Sequence, residues 1–394
     1  MRFSRYIPLI LVVILVISIG SYALLSLLAP ADHGQGQVTL RVGYPEAVDE
    51  SDVIDVYAFQ LLAKEGVSVI PTYYGTPPLG YEGLIAGQQD VLFDETMGSL
   101  LTGQNTTCVG GTWLGGPYVG LVGDGITKPS QMLGKTAADF GPGSILRDLN
   151  EYWFTQAGIP INTAGPSPNS VYLENSGGDL TTYNDLVTGQ AQEIVLDDFI
   201  ISDLSAINDT AHNGPYHVLF PPLDSAYASC YAVRDNWLSN PANQLVLEKF
   251  LAAIYQAQRY FVSNPSQFVP FANQQLGNGS SAEVQFASTY YPGHMVYWPY
   301  GLFNLQGNQS LQAKYNGTNQ FFITAGLLAG PVANDSVKPY GVFNKYFELK
   351  ALQMLGPYQY PNESWVTPTF ASDIQAWVPS WMGGMANSTA GGKQ

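Results

Sequence analysis

Charge is what this sequence has least of. Only 12% of its 394 residues are Asp, Glu, Lys or Arg, about half the share usual in a soluble domain. Its surface must therefore rest on Asn, Gln, Ser, Thr, Gly and Tyr, with few ion pairs. What charge there is leans acidic, 31 carboxylates against 15 basic residues. No basic cluster interrupts it, which excludes nucleic acid as a partner. Histidine is scarce too. His33, His212, His217 and His294 show no metal-ligand spacing such as His-Glu-x-x-His, so no metal is expected. Cysteine is limited to Cys108 and Cys230, far apart and without a nucleophile signature. In an oxidising exterior they can form one disulfide; two buried free thiols are the alternative. Ser144 lies in Gly-Pro-Gly-Ser-Ile rather than Gly-x-Ser-x-Gly, and no His or Asp is tied to it by motif. Asp197 and Asp198, as adjacent strand residues, point to opposite faces and make a poor acid–base pair. No cofactor motif appears, and an enzyme is not expected.

Apolar material, by contrast, is ample. Hydrophobic residues make up 46% of the chain, enough for real cores and too much for disorder. The length suits two compact lobes. Arg2 and Arg5 precede an apolar run from Ile7 to Leu28, comparable to the roughly 20 residues that cross a bilayer. With positive charge ahead of it, the run directs everything after Pro30 outward. It reads as a signal anchor over residues 1–30, a transmembrane helix holding the protein on the extracellular face of the cytoplasmic membrane. Cleavage at Ala29-Pro30-Ala31 is the competing reading. No cysteine lies near residue 30 to carry a lipid. Export fits eight Asn-x-Ser/Thr sequons, at Asn105, Asn208, Asn278, Asn308, Asn316, Asn334, Asn362 and Asn387, six of them after residue 277. Sparse charge also suits an acidic exterior, because at about pH 3 most carboxylates are neutral and ion pairs are lost.

After a polar linker (31–37), Val38–Gly43 alternates like a strand. Ser51 caps a helix with Val53, Val56, Phe59 and Leu62 at helical spacing, Gly66 stops it, and Val67–Tyr74 is the next strand. A helix ending at Gly87 then leads into the strand Asp90–Asp94. This βαβα alternation predicts a mostly parallel sheet covered by helices. The run Leu84–Asp94 has an internal echo in Leu186–Asp197, each a helix end, a glycine, a short apolar strand and then acids. A spacing of about a hundred residues matches one lobe and implies two similar, Rossmann-like α/β lobes. Between the echoes lie a helix-like approach (Ile126–Gly134), the strand Lys135–Phe140, the turn Gly141–Ser144 and a helix Ile145–Gln156 closed by Gly158. The strand His217–Phe220 ends the second lobe, and Tyr227–Val233 reads as a strand returning to the first. Asn240-Pro241 opens a long helix that Asn264-Pro265 breaks. A last helix is expected over Phe343–Leu355, before a polar tail.

In order, Val-Gly-Tyr (42–44), Leu-Leu-Ala-Lys-Glu-Gly-Val (61–67), Leu-Ile-Ala-Gly-Gln-Gln-Asp-Val (84–91), Leu-Gly-Lys-Thr (133–136), Phe-Gly-Pro-Gly-Ser (140–144) and Tyr-Ala-Val-Arg-Asp (231–235) resemble the type II periplasmic solute-binding proteins of the nitrate, sulfonate, taurine and thiamine-precursor class. The resemblance spans roughly Val38 to Phe271. It implies two lobes joined by two crossover strands, here Tyr118–Gly123 and Tyr227–Val233, and an ABC permease that reads lobe closure. The lobes then divide as 38–122, 123–225 and 226–394, the last completing the first lobe and adding a helical extension. Two features depart from the family. Its second unit usually reads Gly-x-x-Asp-Ala where this chain has Gly189-Gln-Ala-Gln-Glu, and the part after Phe271 is longer and rich in Tyr.

Ligands of open α/β sheets sit beyond the carboxyl ends of strands. That geometry selects Tyr44, Pro45, Glu46, Tyr73, Tyr74, Gly75, Asp94, Glu95, Thr96, Thr112 and Trp113 from the first lobe. From the second it selects Gly143, Ser144, Asp197 and Asp198. Gly143 and Ser144 open a helix whose N-terminus favours an anion, with a plain N-cap at Ser144 as the alternative. The acids favour a cationic or zwitterionic ligand among aromatics. The function expected is a monomeric receptor delivering a small molecule to an ABC-type importer. A structural S-layer- or filament-like surface glycoprotein, with a filled cleft and strong self-association, is the alternative.

Overall fold

A computed structural model describes residues 38–44, 53–94, 105–111, 118–123, 125–177, 179–196, 216–220, 230–276, 311–332, 341–342, 344 and 346–356. The chain divides into a short unit, Met1–Val38, and a large one, Thr39–Gln394, that carries every described residue after Val38. Among the described residues no helix is long and apolar enough to cross a membrane. The expected anchor at Ile7–Leu28 lies outside them.

Eleven described strands form two sheets. They are β1 (Val38–Tyr44), β2 (Val67–Tyr73), β3 (Val91–Asp94), β4 (Thr106–Gly111), β5 (Val119–Val122), β6 (Thr136–Asp139), β7 (Ile161–Asn162), β8 (Val171–Asn175), β9 (Glu193–Leu196), β10 (His217–Phe220) and β11 (Cys230–Arg234). The first sheet has the order β2-β1-β3-β11-β4, the second β10-β5-β9-β6-β8-β7. Read from the other side, the second repeats the first. The triplet β8-β6-β9 matches β2-β1-β3, an antiparallel strand follows (β5 or β11), and a last strand closes the row. The two echoing segments supply β3 and β9, which hold equivalent places.

The sheets are mostly parallel, as expected, except for one reversed strand in each, β11 and β5. β1 runs parallel to β3, and β6 runs parallel to β8 and β9. β11 is antiparallel to β3 and β4, and β5 is antiparallel to β9 and β10. The reason lies in the two passages between sheets. Cys230 at the start of β11 sits opposite Asp94 at the end of β3, and Val119 at the start of β5 sits opposite Leu196 at the end of β9. Each returning strand enters at the carboxyl end of its neighbours and so runs against them. Neither β5 nor β11 is shared; each belongs wholly to the sheet it enters.

The helices follow their sequence signals. Helix α1 (Val53–Lys64) buries Ile54, Asp55, Ala58 and Leu62, and Gly66 ends it at φ 78°. Helix α2 (Pro77–Ile85) starts on a proline. Helix α3 (Ile145–Gln156) is capped by Ser144, and α4 (Asp179–Thr188) leads through Gly189, at φ 77°, to β9. A short helix α5 (Asp235–Leu238) precedes α6 (Pro241–Ser263), whose N-cap Asn240 accepts from the Ala242 amide at 3.0 Å. Then come α7 (Phe268–Leu276), α8 (Leu311–Thr324) and α9 (Tyr346–Leu355). Two expectations change. Ile126–Gly134 holds only a 3-10 turn, Pro129–Met132, because Pro129 opens it and Gly134 turns left-handed at φ 78°. The last helix begins three residues later than expected, where the Asn344 side chain accepts from the Tyr346 amide at 3.0 Å. Helix α6 packs on α1 and α9, whereas α8 packs on α3, so the C-terminal part touches elements of both sheets.

Candidate functional site

Each sheet has a topological switch point. The chain leaves β1 for β2 on one side and returns to β3 on the other, and it leaves β6 for β8 and returns to β9 in the same way. Crevices open at such points, beyond the carboxyl ends of the strands. Both passages between sheets also lie at that end, so the two switch points are linked there.

On the first sheet the end of β1 is built around a carboxyl. Asp55, third residue of α1, is buried. Tyr44 Oη donates to its Oδ2 at 2.6 Å, and Tyr231 Oη lies 2.8 Å from both of its oxygens. Burial pushes this carboxyl up to about 7, with the two hydroxyls pulling it back. Around it Tyr44 packs on Tyr73 at 5.5 Å and Phe93 at 5.7 Å, and Tyr231 packs edge-on against Phe93 and Phe250. The second sheet repeats the device with the charges exchanged. Asp139 ends β6, and Arg147, third residue of α3, donates its Nε to both Asp139 oxygens at 2.8 and 2.7 Å. Gly141 N and Asn150 Nδ2 complete the shell, yet burial still holds Asp139 above the usual carboxylate range. In both sheets, then, a buried polar pair fastens the end of the first strand to the first turn of the next helix.

The helix N-termini themselves face each other. Gly143, left-handed at φ 88°, lies so close to Pro78 in the first turn of α2 that a Cβ on it would sit 3.1 Å from the proline Cγ. The starts of α2, which follows the edge strand β2, and of α3, which follows β6 at the second sheet's switch point, therefore meet, and a helix N-terminus is the positive end of its dipole.

Among the residues selected from the sequence, Tyr44 is buried beneath this end as part of the Asp55 cluster. Tyr73 is half-buried beside it. Tyr74 lies against Gly83 of α2 and within the field of Arg41. Asp94 ends β3 opposite Cys230. Gly143 is exposed, whereas Ser144 is buried, donating to the Gly141 carbonyl at 2.9 Å and accepting from the Arg147 amide at 3.2 Å. Its hydroxyl is thus committed to capping α3. Glu46, Glu95, Thr96, Thr112, Trp113, Asp197 and Asp198 lie outside the described residues. So do all the sequons except Asn105 and Asn316, both exposed. Cys108 of β4 and Cys230 of β11 are joined in a disulfide with Cα atoms 5.8 Å apart. Asp55 and Tyr231 were not selected from the sequence. The available signal was an acid on the apolar stripe Asp55, Ala58, Leu62, where a solvent-facing residue has no place.

No protein-family model matches the chain, and no curated protein matches it in sequence. Solved structures do. A Bordetella bronchiseptica protein superposes with TM-score 0.62 at 12% identity, covering 81% of this chain and 98% of its own. The alkanesulfonate-binding protein SsuA from Xanthomonas axonopodis pv. citri, bound to MOPS, gives 0.56 at 16% identity over 76% of this chain and 97% of its own. A Candida albicans protein described as exhibiting the generic periplasmic binding protein structural fold gives 0.55 at 14%, over 74% and 91%. The chain therefore has the periplasmic-binding-protein fold. At these identities the likeness establishes the fold and leaves the ligand open.

Proposed function

We propose that the chain is an extracytoplasmic solute-binding receptor that captures a small polar or charged molecule between its two α/β lobes and delivers it to an ABC-type importer. The observation that carries this reading is the meeting of α2 and α3 at Gly143 and Pro78, which brings one helix N-terminus from each sheet to one place. An anionic group such as a sulfonate or carboxylate suits that place, since helix N-termini favour anions. Tyr73, which ends β2, and Glu46, Glu95, Thr96, Thr112, Trp113, Asp197 and Asp198, which follow β1, β3, β4 and β9 in sequence, are the further residues assigned to the ligand. The acids among them give the rest of the molecule a polar or cationic end to match. In this reading the protein catalyses nothing, acts as a monomer and is held at the outer face of the membrane by residues 1–30.

The reading is tested by calorimetric titration of the purified protein with taurine, alkanesulfonates, nitrate, pyrimidines, amino acids and polyamines. Saturable binding of one molecule per chain supports it, and the charge of the compound that binds identifies the group seated at the helix N-termini. Absence of binding across the panel, together with self-assembly, supports the structural surface protein instead.

A further inference from the structure

Counted from the glycine that ends each preceding helix, Val91 and Glu193 are equivalent. Each stands four residues after its glycine (Gly87 or Gly189) and is the first residue of its strand. Backbone bonding agrees, because the amide one residue before each donates to the neighbouring strand, Asp90 to Arg41 and Gln192 to Thr136, both at 2.9 Å. In the first sheet Val91 sits opposite Val42, an apolar pair in the core. In the second, Glu193 sits opposite Ala137. The partner has become smaller where the residue has become longer, and Gly120 on the other side makes room as well, since a Cβ there would lie 2.8 Å from Glu193 Oε1. The fold has thus been tailored to hold a carboxyl at a core position.

Among the described residues nothing charged is left to pair with it. Glu193 is fully buried, and among the described residues neither oxygen has a partner in hydrogen-bond geometry. Arg147, the base on the facing helix α3, is committed to Asp139. Of the remaining titratable groups on that helix, Asp148 and Glu151 are acidic and Tyr152 packs on Phe321, and Asp139 itself adds repulsion. From α4 comes Asp185, which accepts from the Ser176 hydroxyl. β5 contributes Gly120 and β10 contributes Phe220, which stacks on Trp153; His217 stands two strands away in the cross-strand row Glu193–Val122–His217. Asn150 faces Glu193 and pulls its carboxyl back by less than burial raises it, but the Asn150 amide nitrogen donates to Asp139 at 3.2 Å and its Oδ1 has no partner. That oxygen is the acceptor a protonated Glu193 needs, and a carboxylate there would have none of the compensation that buried charge requires.

We propose that the second sheet is assembled around an uncharged Glu193 and is a proton-dependent element, fully packed in acid and loosened as the solution becomes neutral and then alkaline. Burial and the neighbouring acids hold the folded carboxyl well above the ordinary range. The folded state then keeps a proton that the unfolded state gives up above about pH 4.3. Stability is complete below that value and falls as pH rises towards the folded value. Each retained proton costs about tenfold in the folding equilibrium constant per pH unit across that window.

The test compares urea unfolding of the wild-type chain and Glu193→Gln, an uncharged mimic of the protonated side chain, from pH 4 to pH 8. The wild type should lose stability steeply as pH rises. The variant should lose it about tenfold less per pH unit and be the more stable protein at pH 8. Parallel pH profiles, or a variant less stable than wild type at pH 8, overturn the proposal. Hydrogen exchange on the wild type alone supplies a second arm. Protection of the β5, β6 and β9 amides, corrected for the intrinsic effect of pH, should fall between pH 5 and pH 8, and unchanged protection overturns it. Neither arm involves a ligand.

Discussion

The disulfide between Cys108 and Cys230 closes a loop of 122 residues. All six strands of the second sheet, from Val119 to Phe220, lie within that loop, and the bond ties the strand by which the chain leaves the first sheet to the strand by which it returns. Breaking it leaves both strands hydrogen-bonded along their lengths, so the native state changes little while the unfolded chain gains freedom. The loop-entropy relation gives about 5 kcal/mol for a loop of this size. If the whole unit unfolds in one transition, that is about 7 °C in melting temperature. The assay is urea unfolding of the oxidised wild type beside the double variant Cys108→Ala/Cys230→Ala. Both sulfurs are buried, so the variant also loses some packing, and the reduced wild type isolates the cross-link. The reasoning fails if reduction leaves the urea midpoint unchanged, or if the denatured, unreduced protein titrates with two free thiols.

Two further outcomes concern the site. Asp55 has a folded carboxyl raised to about 7, so its contribution is complete below about pH 4 and is lost as pH rises towards 7. Asp55→Asn should flatten that part of the stability profile, and a profile unchanged in shape would show that Asp55 is ionised throughout. Gly143 is left-handed and packed on Pro78. Gly143→Ala should cost about 1–2 kcal/mol in thermal unfolding and weaken ligand binding as well, because the α2–α3 contact must shift; unaltered stability and affinity would remove this contact from the site.

Much of the architecture was legible because it is written in local signals. The glycines at 66, 87, 158 and 189 end helices or lead into strands where their spacing says they do, and Asn240-Pro241 starts its helix on the expected residue. The echo between Leu84–Asp94 and Leu186–Asp197 pointed to two related sheets, and β3 and β9 hold equivalent positions in them. The reversal of one strand in each sheet was not legible. β5 and β11 read as ordinary apolar runs, and only the end at which they enter a sheet makes them antiparallel. The paired polar devices were hidden for the same reason. Tyr44 and Asp55 are near in sequence, but Tyr231 arrives from 176 residues away. Ser144 was readable as a cap or as a ligand contact, and only its two hydrogen bonds show that the hydroxyl caps the helix. Glu193 looked like a departure from the resembling family's Gly-x-x-Asp-Ala; its meaning came from Ala137 and Gly120, which the sequence places far from it.

The measurement that bears most directly on the receptor reading is thermal unfolding of the purified protein, alone and with each compound of the panel. A ligand that binds only the folded state at a hundred times its Kd stabilises by about 2.7 kcal/mol, roughly 4 °C for a unit of this size. The account predicts such a rise for at least one small polar compound, growing with its concentration and diminished by Gly143→Ala. A flat response to every compound, with the protein eluting as a large assembly, would contradict it.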